Sequence, residues 1–409
     1  MFNAPRRGES SSKRKCIGKK ANFERVSIGE THAPKLLLEF AMNCFSFVIH
    51  PMELRRDAAR KYPILGLLPE RAVEQIALRL SPKWMSEISG IESKTGATTS
   101  GYFIGCPFSS RQLLELPPER VYRKLVECGQ MSANRGAKIM GLGAFTSVAG
   151  DAGITVAKRL EGTIGVTSGN SYTVFTAVEG LLKAADLMGI EVEKSSVAIV
   201  GATGSIGAVC AKILSSRVGE VALVGRDEAK LERLKSEVES RGDCSASIRS
   251  APDIREALRG ADMVLAVSSA GKELVFPEDL KIGAVVCDVA RPRDVSKTVI
   301  EKRDDVLVIE GGVISVPGRD VRFNFAFGFP ESTAFASMSE TMILSLEGTN
   351  QSYTLGRDLT VEQVMRMGEL ARKHGFSLAG FRSFEVALSD EDIARVRERA
   401  DKKRRPVAA

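Results

Sequence analysis

Short apolar runs recur through the second half of the chain, and stretches of 3.6-residue periodicity fall between them. Val197 to Val200, Val221 to Val224, Ala261 to Val267, Gly283 to Cys287 and Asp305 to Ile309 read as buried strands. Ser245 to Ser250 is a weaker third member of the series. Ser205 to Ser216 and Asp227 to Arg241 carry helical patterning. This alternation predicts an α/β fold, a Rossmann-type doubly wound parallel sheet. The first half is mixed. It offers a strand at Cys44 to Ile49, helices near Pro51 to Lys61 and Leu68 to Leu80, and a hairpin of Ser86 to Ser93 with Gly101 to Gly105. A helix over Pro117 to Gly136, strands at Ala137 to Gly143 and Gly162 to Val166, and a helix over Tyr172 to Gly189 follow. Helical patterns at Glu331 to Glu347, Thr360 to His374 and Ser389 to Lys403 close the chain. The expected division is a disordered basic arm over 1–43, an N-terminal α/β substrate domain over 44–190 and a nucleotide-binding domain over 191–330. C-terminal helices over 331–409 would then close onto the cleft.

The strand Ser196 to Val200 runs into Gly201-Ala-Thr-Gly204-Ser-Ile-Gly207 and then a helix. Strand, glycine turn and helix in that order form the opening of a dinucleotide-binding βαβ unit. Gly201 permits the tight turn, Gly204 lets backbone N–H groups approach a pyrophosphate, and Gly207 packs helix on strand. Thr203, Ser205 and Ile206 complete that cradle. The tip of the next strand reads Gly225-Arg226-Asp227. A guanidinium there suits a 2′-phosphate and predicts NADP(H). The other reading has Arg226 capping the turn and Asp227 binding the ribose. Ser268 and Val313, in loops after later strands, would flank the nicotinamide.

Composition narrows the function classes. The net charge of +7 is concentrated at the ends: residues 1–20 hold seven Lys/Arg against one Glu, and 401–405 four against one Asp. The body is slightly acidic, so no nucleic-acid groove is expected. Seven cysteines (16, 44, 106, 128, 210, 244, 287) without a C-x-x-C pair suit a reducing cytoplasm. Three scattered histidines give no metal-ligand spacing. The apolar run Leu36 to Ile49 is short for a spanning helix and is broken by Glu39 and Asn43, so no integral membrane contact is expected. Residues 1–41 are either an arm or the product of a start upstream of Met42.

Hydride transfer needs a carbonyl beside the nicotinamide and a group that polarises it. Thr146-Ser147 and Ser168 to Tyr172 fall at strand ends where a cleft could form. Asn170 or Tyr172 would hydrogen-bond a carbonyl oxygen; helix capping alone is the competing account. Lys183 is read as helix surface rather than a catalytic lysine.

Gly143-Ala-Phe-Thr-Ser147, Thr167-Ser-Gly-Asn-Ser-Tyr-Thr173, Val200 to Gly207, Glu310-Gly-Gly-Val313, Met342 to Gly348 and Arg372-Lys-His-Gly-Phe376 together resemble the long-chain acyl-(acyl-carrier-protein) reductases. The resemblance spans about residues 45 to 376. It implies an acyl-binding N-terminal domain beside a shikimate-dehydrogenase-like NADP domain. It also implies reduction of an acyl thioester, on acyl carrier protein or coenzyme A, to a fatty aldehyde. The family's cysteine nucleophile falls at Ser337, in Ala334-Phe-Ala-Ser337-Met-Ser-Glu340. A serine needs a general base where a thiol does not. Three routes are therefore open: an activated Ser337, a substitute thiol at Cys106, or direct hydride transfer. Rival functions are a shikimate/quinate-type or amino/hydroxy-acid dehydrogenase and a non-catalytic NADP-binding sensor. Copies of the chain itself are a further expected partner.

Overall fold

The computed structural model describes residues 43–61, 63–325 and 330–405. The expected arm, but for residue 43, and the question of an upstream start lie outside these residues.

Strands β1 (Asn43–Ile49), β2 (Lys83–Glu92), β3 (Thr98–Gly105), β4 (Ile139–Leu142) and β5 (Gly165–Thr167) form the first sheet, in the order β2-β3-β1-β4-β5. β3, β1, β4 and β5 are parallel, and β2 runs antiparallel at the edge. The second sheet contains β6 (Ser196–Val200), β7 (Glu220–Val224), β8 (Ser247–Ala251), β9 (Met263–Ala266), β10 (Val285–Asp288) and β11 (Leu307–Glu310). Its order is β11-β10-β9-β6-β7-β8, all parallel. Renumbered from β6, that is the 3-2-1-4-5-6 order of a dinucleotide-binding fold.

Alternation along the strands divides the core. Val197 and Ile199 face the same apolar layer as Phe45 and Phe47 of the first sheet, whereas Ala198 and Val200 face away from it. The shared layer holds the helices Asn170–Leu187, Ser205–Leu214, Ala336–Leu346 and Val361–His374. The first sheet's far face packs Val48, Tyr102 and Ile104 on the helix Pro118–Ala133.

The C-terminal segment is woven into the fold and forms no separate closing layer. Helix 336–346 lies along the first sheet and runs antiparallel to its parallel strands. Gly348 sits by Asn43, the Ser345 hydroxyl meets that of Thr99 at 2.7 Å, and Thr341 covers Gly141. The helix starts five residues later than the pattern predicts, because Thr333–Phe335 is extended and pairs with Val313–Ser315. That short strand pairs in turn with Ser377–Leu378. Ser383 and its neighbours close a second hairpin with Val386–Leu388.

Candidate active site

The antiparallel course of helix 336–346 brings its N-terminus over the carboxyl ends of β4 and β5. Ten of its eleven residues are buried, and Ser337 is the exception. Gly169, at φ +77°, packs directly on it: a Cβ there would lie 2.4 Å from the Ser337 Cα. Only glycine meets both demands. On the other side the Ala336 N–H donates to the Gly312 carbonyl at 2.9 Å, and a Cβ on Gly312 would touch Ala336. Gly311 passes equally close to Val289, in the loop after β10. Ser337 is thus held between the Ser168-Gly169-Asn170 turn of the first half and the glycine loop that leaves β11. Helix 336–346 has no side-chain cap, so its terminal dipole and the first-turn N–H groups beyond Ala336 are available to an incoming oxygen.

A buried carboxylate fixes this arrangement. Glu340, one turn beyond Ser337, accepts from the Thr167 hydroxyl at 2.5 Å, the Thr354 hydroxyl at 2.8 Å and the Tyr172 N–H at 2.9 Å. Ser171 shares its hydroxyl with Thr354 at 2.7 Å. Burial pushes the Glu340 carboxyl up, and these donors pull the other way. The start of helix 170–187 is therefore capped from another helix. Its own N-cap, Gly169, makes no side-chain bond, so local capping does not explain the hydroxyl-rich turn. The Ser168 hydroxyl is buried and unpartnered. Asn170 is half-buried beside it.

The other expected residues fall elsewhere. Tyr172 is buried and stacks on Phe175 with ring centroids 6.1 Å apart, so it lies in the core rather than facing a substrate; burial pushes its phenol up. Thr146 and Ser147 spend their hydroxyls on their own turn, donating to the Gly143 and Ala144 carbonyls at 2.8 and 2.7 Å. Cys106 is buried on the first sheet's far face against Cys128, whose thiol is pushed up by its hydrogen bond with Cys106 and by burial. That is the face away from Ser337. Val313 is buried in its pairing with Phe335, which leaves the Gly311-Gly312 backbone nearest to Ser337. Sequence reasoning missed Glu340, Thr354 and Thr167 as a network.

The glycine turn after β6 forms the cofactor cradle. Gly201 adopts φ +87° with its Cα against Ser268, and a Cβ on Gly207 would lie 2.4 Å from the Gly201 carbonyl oxygen. Both contacts exclude a side chain. Helix 205–214 has no side-chain cap, and its first N–H groups, on Ser205, Ile206 and Gly207, fit a pyrophosphate. Thr203 is half-buried behind Gly225. Ser268 gives its hydroxyl and N–H to Asp294 at 2.6 and 2.8 Å, so it braces the turn. Burial raises the Asp288 carboxyl to about 6; it takes the Ala290 and Val295 N–H groups and shapes the loop beyond β10. Arg226 is exposed and makes no ion pair among the described residues. Asp227 caps helix 228–239 through the Lys230 N–H at 3.1 Å and pairs with the Lys230 ammonium. That commitment weakens the reading of Asp227 as the ribose ligand.

Known proteins resemble different parts of the chain. Residues 183–310 match the shikimate/quinate 5-dehydrogenase family model, which stops short of Ser337. The long-chain acyl-[acyl-carrier-protein] reductase of Synechococcus elongatus is 29% identical over 72% of this chain and 87% of its own length. The aminotransferase PigE of Serratia sp. is 28% identical over 85% of this chain, which spans only 41% of that protein. L-tryptophan dehydrogenase of Nostoc punctiforme aligns over 88% of both chains at 12% identity and a TM-score of 0.37. Residues 183–310 are thus dehydrogenase-like in sequence and contain the strands of the parallel nucleotide-binding sheet.

Proposed function

We propose that the chain uses NADPH to reduce an acyl thioester, carried on acyl carrier protein or coenzyme A, to the aldehyde. The observation that carries this is the placement of Ser337. It is the one unburied residue of its helix, set at an uncapped N-terminus between the Gly169 turn and the loop that leaves the cofactor sheet. The resemblance to an acyl-carrier-protein reductase at 29% identity supports the substrate class.

The cofactor supplies hydride. Gly201, Gly204 and the N–H groups of Ser205 to Gly207 hold its pyrophosphate, and Arg226 takes the 2′-phosphate. The acyl oxygen sits at the Ser337 hydroxyl and the first-turn N–H groups beyond Ala336, which stabilise the charge that develops as hydride adds to the carbonyl carbon. The thioester C–S bond then breaks, the thiolate takes a proton, and aldehyde and free thiol leave. Ser337 acts here as a hydrogen-bond donor and not as a nucleophile. Glu340 is saturated by its donors. His50, at the end of β1, uses Nδ1 against the Pro51 carbonyl at 3.1 Å and Nε2 to accept the Phe145 N–H at 3.2 Å. Neither can serve as the base that an attacking serine requires.

Ser337→Ala is expected to lower kcat about 100-fold, the usual cost of one oxyanion donor. Intact-mass spectra of the wild type during turnover should show no acyl adduct. An adduct on Ser337 would sink the direct route, and unchanged turnover in the alanine variant would remove Ser337 from the chemistry. The cofactor assignment has its own check. Arg226→Ala should weaken NADPH binding by about 1.5–3 kcal/mol, the worth of a charged hydrogen bond, and leave NADH untouched. Equal wild-type affinities for the two cofactors would refute the choice of NADPH.

A further inference from the structure

The segment from the helix Leu54–Lys61 through the Pro63–Leu67 turn and the helix Glu70–Ala77 to the start of β2 has an inverted polarity. A small helical hairpin normally docks by its apolar face. Here, among the described residues, Leu54, Val73 and Ala77, with Leu68, form a small core of their own. Attachment to the body includes a strong polar anchor. Buried Glu74 accepts the Ser109 hydroxyl at 3.1 Å and pairs with Arg111, and the Lys124 ammonium donates to the Leu80 carbonyl at 2.9 Å. Leu78 also packs inward, on the far face of the first sheet, but four of the segment's other apolar side chains are exposed. Leu67 is 85% exposed and Ile64 70%, both on the turn, and Ile76 and Leu80 follow at 42%. The edge strand continues the surface. Its register shifts between Trp84 and Ser86, so Met85 is an extra residue in a bulge, and Trp84 and Met85 both face solvent.

The same stretch of chain is rich in cations. Residues 52–85 contain seven Lys/Arg against four Asp/Glu. Arg55, Arg71, Arg79 and Lys83 are exposed, and none makes an ion pair among the described residues. Monomeric soluble proteins rarely leave so many large apolar side chains together in water. An exposed apolar turn, an exposed tryptophan and four exposed cations without ion pairs within one stretch of chain match an interfacial membrane site. The apolar residues enter the headgroup boundary, the indole sits at its level, and the cations meet anionic lipid. A bilayer accepts a protruding turn without a shaped cavity, whereas a protein partner must supply one.

We infer that this segment is a peripheral binding surface for an anionic lipid bilayer. The inference is independent of the reaction proposed above. It requires no spanning segment, and no helix among the described residues is long and apolar enough to be one.

Trp84 is the only tryptophan in the chain and reports on the surface directly. The full-length protein is titrated with vesicles of phosphatidylglycerol in phosphatidylcholine and, separately, with phosphatidylcholine alone. The expected result is a blue shift of Trp84 emission with the anionic vesicles, weakened by high salt. In co-sedimentation, I64D/L67D should bind those vesicles about tenfold more weakly or worse, as loss of two inserted apolar side chains demands. An unchanged emission spectrum would overturn the inference. So would vesicle binding that I64D/L67D leaves intact, since another surface would then be responsible. A blue shift that grows with protein concentration in the absence of lipid would assign the face to a second copy of the chain instead.

Discussion

Glu340→Ala is expected to destabilise the protein by about 3–5 kcal/mol, the combined cost of buried donors left unmet and of a cavity in the core. The substitution takes the acceptor from the Thr167 hydroxyl and the Tyr172 N–H in the buried interior and leaves the Thr354 hydroxyl with Ser171 alone; each unmet donor costs about 1–3 kcal/mol. It also opens a cavity where a fully buried side chain stood. Glu340→Gln keeps the volume and one acceptor oxygen, so it should cost clearly less, about 1–3 kcal/mol. Urea titrations of the three proteins measure the difference. Equal midpoints for wild type and Glu340→Ala would mean that the network does not hold the helices together.

How well the sequence announced these parts follows from how local each signal is. The cofactor half was legible because a continuously apolar, buried strand, three glycines and a helix lie within about twenty consecutive residues. Gly201 and Gly207 bear the close contacts expected of them. Gly204, with a negative φ and open space beyond the Gly201 carbonyl, needs glycine less than the pattern implies. Glu340 was illegible for the opposite reason. It reads as one more helix acid, and its partners Tyr172 and Thr167 stand 168 and 173 residues away. The strands Val313–Ser315 and Thr333–Phe335 have three residues each, too few for a period to show. Cys106 drew attention as a thiol in a segment of family resemblance. Its side chain nevertheless follows Ile104 onto the face of the first sheet remote from Ser337.

The same contrast explains the two halves of the site. A nucleotide cradle is backbone geometry, and glycine spacing records backbone geometry. The substrate side depends on which face of a helix is left uncovered, and that is settled by packing. Helix 336–346 is apolar or hydroxyl-bearing nearly all round, so no amphipathic stripe marks Ser337. Its position emerges only when the sheet, helix 170–187 and the Gly311-Gly312 loop have covered everything else.

Gly169→Ala is expected to lower kcat by about 100-fold or more and to leave NADPH affinity within about twofold, because misplacing a reacting group by about 1 Å costs that much. The new Cβ would lie 2.4 Å from both the Cα and the Cβ of Ser337 and 2.6 Å from its carbonyl oxygen. These are largely backbone contacts, so no side-chain rotation relieves them. The left-handed φ of +77° adds about 1–2 kcal/mol for any residue with a Cβ. Ser337 must therefore move away from the Ser168–Asn170 turn. Its helix is pinned farther along by Glu340 and by Thr341 over Gly141, so the displacement concentrates at the first turn, where the acyl oxygen is held. The glycine cradle at Gly201 to Gly207 lies on another sheet and shares no contact with Gly169, which is why cofactor binding should survive. Fluorescence titration with NADPH and steady-state aldehyde formation separate the two effects. If affinity and turnover fell together, Gly169 would be supporting the fold as a whole and not the placement of Ser337.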